Sequence, residues 1–370
     1  MARAKENSLY NKVYQDILRM IREGSLAQGE KIPTERDLAE RYAVSQITIK
    51  KATDMLVSDG YLRKHPGKGT FVVSTDASGE GHSEETYSAN RNMVGAVLDH
   101  ISDDFGTRTL IALETALGVD GYSLVVKFSE SRMEAETASI NKLLKLGVAG
   151  LAVKCAYAET YNDRILELSL QKYPMLFVDR YLPGLPVPYV GIDHRRACEE
   201  LTDRMFQRGH RELLLVGSDN SLNMTSVKDR IQGYIDSCLR HSAENSGLNR
   251  LYLPGDFSMS VPPDQFDVEL GRITQALENH PNLTGLVALS SGLGHMLCVA
   301  AHQLEQKTGR RVEVASFDAH IHHLEGFEPV LKLQQDETEL GRRSAELLED
   351  IIAGKPVERY TYTPYHIEEY

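Results

Sequence analysis

The sequence contains no tryptophan and only four cysteines among its 370 residues. Cys155, Cys198, Cys238 and Cys298 form no Cys-x-x-Cys pair and have no histidine nearby at the spacing of a zinc site. We therefore interpret each as a small buried apolar side chain. We predict no metal site and no cofactor.

Long apolar segments and enzyme motifs are also missing. No run approaches the roughly 18 apolar residues of a membrane-spanning helix, and the first residues lack the apolar core of a signal peptide. This favours a cytoplasmic protein without a membrane partner. No Gly-x-Gly-x-x-Gly follows a strand, and there is no Walker lysine and no Gly-x-Ser-x-Gly turn. We therefore expect a protein that is not an enzyme and has no catalytic residues.

Acidic residues outnumber basic ones overall, but the balance is reversed at one end of the chain. Residues 1–75 contain 13 Lys+Arg and 9 Asp+Glu, whereas the remainder contains 28 and 44, so the two parts have formal charges of +4 and −16. A basic segment suits a polyanionic partner, because neutralised phosphates release counterions. The length predicts two or three folding units.

Residues 9–73 have the pattern of a DNA-reading module. Apolar residues from Tyr10 to Ile21 recur at helical spacing and predict a first helix ending near Gly24. Thr34 begins a second helix that runs to about Tyr42, and Ser45 begins a third that stops at Gly60. Two helices joined by so short a turn predict a helix-turn-helix.

The third helix is expected to enter the major groove of DNA, with Gln46, Thr48 and Lys50 as exposed base or phosphate contacts. Residues 61–64 and 70–73 read as two strands joined by His65-Pro66-Gly67-Lys68-Gly69. This hairpin predicts a wing whose glycines allow close approach to the duplex, and Lys68 would contact phosphate or the minor groove.

Four segments of this head resemble the GntR family of bacterial repressors: Leu9-Tyr10, Lys31-Ile32-Pro33-Thr34-Glu35-Arg36-Asp37-Leu38-Ala39, Val44-Ser45-Gln46-Ile47-Thr48-Ile49-Lys50 and Gly67-Lys68-Gly69-Thr70-Phe71-Val72. The resemblance implies that Arg36, Ser45, Thr48 and Gly67 touch DNA. Gln46 and Lys50 replace the usual arginines, and because Gln prefers adenine where Arg grips guanine, we expect a different base preference. For Arg36, a surface ion pair with Asp37 or Glu40 is the alternative.

Residues 76–91 are rich in Ser, Gly, Glu and Ala and predict a linker. From Met93 onward, short apolar strands alternate with helices, a pattern typical of parallel sheets. The number of strands favours two lobes rather than one. Parallel sheets bind ligands at the carboxyl ends of their strands, so two facing sheets predict a ligand cleft.

The body also resembles the effector domain of LacI-type repressors, itself similar to periplasmic sugar-binding proteins. The segments that carry this resemblance are Phe177-Val178-Asp179-Arg180, Val190-Gly191-Ile192-Asp193, Arg208-Gly209-His210-Arg211, Asp229-Arg230-Ile231-Gln232-Gly233-Tyr234, Ala315-Ser316-Phe317-Asp318 and Glu339-Leu340-Gly341. The resemblance implies three crossings between the lobes, which we place near Arg208-Gly209, Phe317-Asp318 and Gln334-Gln335. Lobe 1 would then comprise about 92–208 and 318–334, and lobe 2 about 209–317 and 335–370.

The same resemblance implies that Arg230 clamps the effector. It also implies that residues around His100, Asp103 and Phe105 line the cleft, with Asp193 and Asp318 as further candidates. Ser290-Ser291 stands where the family normally has Asn-Asp, so Ser291 takes the place of a sugar-binding carboxylate. For Arg230, the alternative is a helix-surface salt bridge with Asp229 or Asp236.

The sequence therefore predicts an α/β protein: an N-terminal winged helix-turn-helix in residues 1–75, the linker, and a two-lobed periplasmic-binding-protein-like body in 92–370. The leading hypothesis is a homodimeric repressor that binds double-stranded operator DNA and is released by a small sugar. The same pairing of domains in arabinose-type repressors makes a pentose such as arabinose the best single guess. A metal or non-sugar sensor, for which His320, His322 and His323 are the visible residues, and a ligand-independent DNA-binding protein are the alternatives.

Overall fold

The computed structural model describes residues 9–58, 61–65, 69–73, 92–101, 105–156, 161–241, 249–255, 257, 263–318 and 328–370. The chain divides into two compact units, Met1–Tyr87 and Ser88–Tyr370. The predicted linker lies outside the described residues. Within them, no helix is both long and apolar enough to cross a bilayer.

The first unit is a winged helix-turn-helix. Its elements are α1 (Leu9–Arg22), α2 (Glu35–Tyr42), α3 (Gln46–Ser58) and an antiparallel pair, β1 (Leu62–His65) and β2 (Gly69–Val72). Thr34 caps α2, since its hydroxyl accepts the Asp37 backbone N–H while the Asp37 carboxylate accepts the Thr34 backbone N–H. The Thr34 hydroxyl also donates to the Asp37 carboxylate at 2.7 Å, and this bond together with that from the Thr34 backbone N–H lowers the pKa of Asp37. The three helices pack around a core that includes Val13, Ile17, Ile21, Leu38, Ile49, Ala52 and Leu56.

The second unit contains two lobes, each built on a six-stranded sheet. In chain order its elements are β3 (Met93–Leu98), α4 (Thr107–Val119), β4 (Ser123–Phe128), α5 (Met133–Lys145), β5 (Leu151–Val153), α6 (Asp163–Leu170), β6 (Met175–Val178), β7 (Tyr189–Gly191), α7 (His194–Gln207), β8 (Leu213–Ser218), α8 (Thr225–Arg240), β9 (Arg250–Leu253), α9 (Pro263–Asn279), β10 (Gly285–Ala288), α10 (Ser291–Thr308), β11 (Glu313–Phe317), β12 (Leu331–Gln335), α11 (Glu337–Ile352), β13 (Tyr360–Tyr362) and β14 (Tyr365–Glu369).

The sheet of lobe 1 has the order β13-β7-β6-β5-β3-β4, and all its pairs are parallel. The sheet of lobe 2 has the order β14-β12-β11-β10-β8-β9, and only β14 runs antiparallel to its neighbour. Parallel strands buried on both faces read as continuous apolar runs. This is why β6, β8 and β10 could be located from the sequence. The predicted fold class is confirmed.

Two glycines show how closely the helices of each lobe approach each other. A Cβ on Gly341 of α11 would lie 2.3 Å from the Thr109 carbonyl oxygen of α4, and a Cβ on Gly233 of α8 would lie 2.1 Å from the Arg195 carbonyl oxygen of α7. Both distances are far below van der Waals contact, so only glycine permits these two helix pairs.

These contacts correct the predicted lobe boundaries. Helix α7, predicted in lobe 1, packs against α8 of lobe 2, so the first crossing follows Gly191 rather than Arg208. The chain does not cross at Phe317-Asp318, because β12 pairs with β11 inside the lobe 2 sheet. It passes to lobe 1 after Gln335, where α11 packs on α4, and returns between β13 and β14.

Candidate functional sites

The first turn of α3 presents the predicted DNA-reading groups. Ser45 caps this helix, since its Oγ accepts the Thr48 backbone N–H at 3.2 Å and lies 2.8 Å from the Thr48 hydroxyl. Gln46 and Lys50 are exposed and one helical turn apart, and Thr48 is half-buried. Residues four apart share a helix face, so Gln46 and Lys50 are available to one stretch of a DNA groove.

Arg36 on α2 forms the ion pair that the sequence left open as an alternative, with 3.4 Å between its Nε and Glu40 Oε1. Both side chains are largely exposed, at 79% and 71%. Exposed pairs contribute little to stability and exchange readily. Arg36 is therefore still able to turn towards a phosphate.

The wing is described only in its two strands. Lys64 on β1 is held by Glu35 and Asp54, with N–O distances of 3.0 and 2.7 Å, so this lysine ties the wing to α2 and α3. Gly67, Lys68 and the side chain of His65 lie outside the described residues. Their predicted contacts with DNA stay predictions.

In the body, a cleft lies at the carboxyl ends of strands from both lobes. Its cavity measures about 110 Å³. One water molecule needs about 10–15 Å³ of cavity volume, so the cleft can hold a small ligand with the volume of several water molecules. The lining comprises His100, Phe105, Lys154, Asp179 and Arg180 from lobe 1, and Ser218, Ser221, Met224, Ser226, Val227, Arg230, Phe257, Leu289, Ser290, Ser291, Leu293, Asp318 and Gln335 from lobe 2.

The lobe 1 wall contains a buried cluster of charges. Asp99 follows β3, is 0% exposed, accepts a hydrogen bond from Arg180 Nη1 at 2.7 Å and lies 3.4 Å from Lys154 Nζ. Asp179 follows β6 and lies 3.2 Å from the same Nζ. Burial alone raises the pKa of each carboxyl, but the adjacent cations outweigh it and hold both pKa values below their usual range. The cleft lining therefore presents ionised Asp179 beside the cations Lys154 and Arg180, and Asp99 lies buried behind them.

Arg230 dominates the lobe 2 wall. Its Nη1 donates to the Leu289 carbonyl at 2.6 Å, its Nη2 lies 3.4 Å from Asp318 Oδ2, and its guanidinium lies 4.0 Å from the centre of the Phe317 ring. Gln335 Nε2 donates to the other Asp318 oxygen at 2.9 Å. The alternative of a helix-surface salt bridge is wrong, because Arg230 is buried and its described carboxylate partner is Asp318.

The structure brings together most of the predicted effector contacts. His100, Phe105, Arg230, Ser291 and Asp318 all line the cleft. Asp193 lies outside the lining, because its carboxylate accepts the Arg196 backbone N–H at 3.0 Å and caps α7. Asp103 lies outside the described residues. Contact of any of these side chains with a ligand stays a prediction.

Sequence reasoning missed three charged lining residues, Lys154, Asp179 and Arg180, and several polar ones, among them Gln335 and Ser218. Lys154 and Asp179 stand directly after β5 and β6. The rule that ligands bind at the carboxyl ends of parallel strands, applied to every strand instead of only the first, would have identified both. Arg180 belongs to the Phe177-Val178-Asp179-Arg180 segment, to which no role was assigned.

No group of three or more potential metal ligands occurs among the described residues. His320, His322 and His323 fall in a segment outside them, so the metal-sensing alternative stays a prediction. In the cleft itself, the charged side chains Lys154, Asp179, Arg180, Arg230 and Asp318 form ion pairs, and the other polar side chains of the lining are His100, five serines and Gln335.

Comparison with protein families finds two matches along the chain. Residues 9–72 match bacterial regulatory proteins of the gntR family. Residues 91–364 match periplasmic binding proteins and the sugar binding domain of the LacI family, which covers well over half of the chain.

Relatives with known roles align over nearly the full length. The chain is 23% identical over 360 residues to an arabinose metabolism transcriptional repressor of Geobacillus stearothermophilus, covering 96% of this chain and 94% of the relative. It is 21% identical over 332 residues to a ribose operon repressor of Halalkalibacterium halodurans, covering 89% and 93%. Among solved structures, a transcription regulator GntR from Chromobacterium violaceum superposes with a TM-score of 0.63 at 18% identity, covering 75% of this chain and 97% of the other.

Proposed function

The chain belongs to the family of periplasmic binding proteins and LacI-type sugar-binding domains, and it has a GntR-type head. From this pairing we propose that it is a transcriptional repressor that leaves its operator when a small sugar enters the cleft. The observation that carries this proposal is the cleft. Buried charged groups converge there from both lobes of a body joined to a DNA-binding head.

The chemistry of the cleft supports a neutral polyhydroxylated effector. Lys154, Arg180 and Arg230 are balanced by Asp99, Asp179 and Asp318, so the site has no excess positive charge for a strongly anionic ligand. Hydroxyl groups both donate and accept hydrogen bonds and so match such mixed walls. Phe105 and Phe257 offer apolar surface in place of the absent tryptophan.

A pentose, with arabinose first, is our best single candidate. Two relatives that align over about nine-tenths of the chain are named as repressors of arabinose metabolism and of a ribose operon, and both sugars are pentoses. The small cavity agrees with a monosaccharide rather than an oligosaccharide.

On DNA, the proposed protein acts in the cytoplasm as a homodimer on a palindromic operator. Arg36, Ser45, Gln46, Thr48 and Lys50 of the head would contact the major groove and its phosphates, with His65, Gly67 and Lys68 in the wing. Effector binding would favour a closed arrangement of the lobes that is incompatible with operator binding. Such a shift requires a higher effector affinity for the closed state.

A thermal-shift panel of pentoses, hexoses and their phosphates tests the effector. Saturating ligand is expected to stabilise the body by about 2.7 kcal/mol at a hundredfold excess over Kd, and L-arabinose is expected to give the largest shift among the pentoses. Operator DNA, selected by the protein from a random double-stranded pool, is then expected to dissociate in fluorescence anisotropy when the same sugar is added. A flat panel together with sugar-insensitive DNA binding contradicts the proposal.

A further inference from the structure

A second, smaller pocket lies in lobe 1 behind the wall of the cleft. It measures about 30 Å³ and is enclosed by the carboxyl ends of β3, β5 and β6 and by helices α4 and α11. Its lining comprises Leu98, His100, Ile101, Phe105, Gly106, Thr109, Leu110, Leu113, Ala152, Lys154, Val178, Asp179 and Leu340. The two pockets share His100, Phe105, Lys154 and Asp179, so the small pocket adjoins the place proposed for the sugar.

The polar groups at this boundary already interact with other partners. Lys154 Nζ is within 3.4 Å of Asp99 and 3.2 Å of Asp179, and it lies 4.7 Å from the centre of the Phe105 ring. The Thr109 hydroxyl is 3.4 Å from the Glu337 carboxylate. The surface left for a ligand inside the pocket is therefore mostly aliphatic, from leucine, isoleucine, valine and alanine side chains.

The size of the pocket limits what can enter it. Since one water needs about 10–15 Å³, the space corresponds to about two waters or one methyl group. Apolar cavities stay dry, because a water inside them lacks hydrogen-bond partners. A buried hydroxyl without a partner costs free energy for the same reason.

We infer that this pocket is a subsite for a methyl group carried by the ring of the effector, so that a methyl-bearing pyranose binds more tightly than the pentose with the same ring. The inference rests on the proposed function and refines the class of sugar. It assigns specificity at one ring carbon to Leu110, Leu113 and Ala152, which line the small pocket but not the cleft.

Three sugars with the same ring configuration provide the test. D-fucose has a methyl group where L-arabinose has a hydrogen, and D-galactose has a hydroxymethyl group there. Isothermal titration of the full-length protein is expected to show D-fucose binding about fourfold more tightly than L-arabinose, which corresponds to about 0.8 kcal/mol for one buried methyl. D-galactose is expected to bind more weakly than D-fucose because its extra hydroxyl has no partner in the pocket.

A filled pocket should abolish this preference. Ala152→Val adds two methyl groups inside the pocket, and the ratio of the D-fucose and L-arabinose affinities is expected to fall to about one. Ala96→Val is the matched control, because Ala96 is equally buried and pairs with Ala152 across β3 and β5 but does not line the pocket. In this control the ratio is expected to stay at its wild-type value. If Ala152→Val does not fold, Leu110→Phe on α4 fills the same space.

The outcomes separate the inference from the function on which it rests. Binding of L-arabinose with equal or weaker binding of D-fucose overturns the methyl subsite and leaves the sugar-responsive repressor intact. A preference for D-fucose that survives both pocket-filling variants also overturns it, because the methyl group then lies elsewhere. No binding of any of the three sugars overturns the proposed effector and the subsite together.

Discussion

Asp99, beside the cleft, shows how a fully buried side chain can keep its charge. Asp99 is fully enclosed, yet Arg180 and Lys154 approach its carboxylate closely enough to keep it ionised. Removing one partner from such a group leaves an uncompensated buried charge, which costs far more than the pair contributes. The cluster is therefore sensitive both to mutation and to pH.

Asp99→Asn is predicted to lower the free energy of unfolding of the body by about 3–5 kcal/mol at neutral pH, because the buried Arg180 loses the nearer of its two carboxylate partners. The wild type should also lose stability in acid. The pKa values of Asp99 and Asp179 lie below the ordinary 3.8 in the folded state, so their contribution is complete above about pH 4. It falls as the pH drops below that value, by up to about 1.4 kcal/mol per pH unit for each group.

Urea unfolding followed by circular dichroism across this pH range measures both effects. Asp236→Asn is the matched control, because Asp236 forms a surface pair with Arg195 and should change stability little. Equal stability of Asp99→Asn and wild type at neutral pH would contradict the role assigned to the buried cluster.

Arg230→Lys keeps the positive charge but loses the forked donors that reach Leu289 and Asp318. We predict effector binding weaker by about tenfold to a hundredfold, since each hydrogen bond to a charged group contributes about 1.5–3 kcal/mol. Isothermal titration with the sugar found in the thermal-shift panel measures the loss. Arg195→Lys, an exposed arginine on the neighbouring helix, should bind the sugar like wild type. Unchanged affinity in Arg230→Lys would remove this residue from the site.

Residues such as Arg230 and Asp318 could be placed in the cleft from sequence because short family motifs carry them. Asp193 was misplaced for a local reason. An aspartate before a helix can cap that helix as readily as it can bind a ligand, and here its carboxylate accepts the Arg196 backbone N–H. Which of the two roles applies depends on the direction of the side chain, and the sequence does not contain that information.

Among the elements, α3 departs from the GntR pattern at two positions, where Gln46 and Lys50 replace the usual arginines. Gln46→Arg restores the usual arginine at the exposed first turn and is predicted to shift the preferred base from adenine to guanine at one position of the operator. The expected discrimination is about 1–3 kcal/mol. Selection from a random DNA pool with wild type and variant measures the preference.

Gln15→Arg is the control. It adds the same charge at an exposed position of α1 and should raise the affinity for all DNA sequences alike. Identical selected sites for Gln46→Arg and wild type would exclude Gln46 from base reading.

The strands and helices of the body were easier to predict than the strands and helices that each of them contacts. Apolar runs identified strands such as β6, β8 and β10, because each is buried on both faces. The lobe to which β12 and α7 belong could not be read in the same way. That assignment depends on which distant strand or helix each one contacts, and β11 and α8 supply contacts that no local pattern encodes.

On the scale of the whole body, a direct contact joins the two lobes beside the cleft. Tyr181, in the loop after β6, donates its backbone N–H to Thr225 Oγ1 at 3.2 Å, and the same hydroxyl lies 3.2 Å from the Tyr181 carbonyl. Thr225 is the first residue of α8, the helix that also carries Arg230. The contact therefore links lobe 1 to the helix on which effector binding is proposed to depend.

Thr225→Val keeps the shape of the side chain but removes both hydrogen bonds, so it should reduce the population of the arrangement in which the lobes touch here. The apparent Kd for the effector rises when the binding-competent state is less populated, and the loss of about 1–2 kcal/mol predicts a Kd about five- to thirtyfold higher. The sugar concentration needed to release operator DNA should rise by the same factor, whereas operator affinity without sugar should not weaken.

Thr202→Val is the control, because the Thr202 hydroxyl donates to the Cys198 carbonyl within α7. An unchanged effector Kd in Thr225→Val would show that this contact does not favour closure of the lobes. Weaker operator binding without sugar would show that the arrangement with the Tyr181–Thr225 contact is the one that binds DNA.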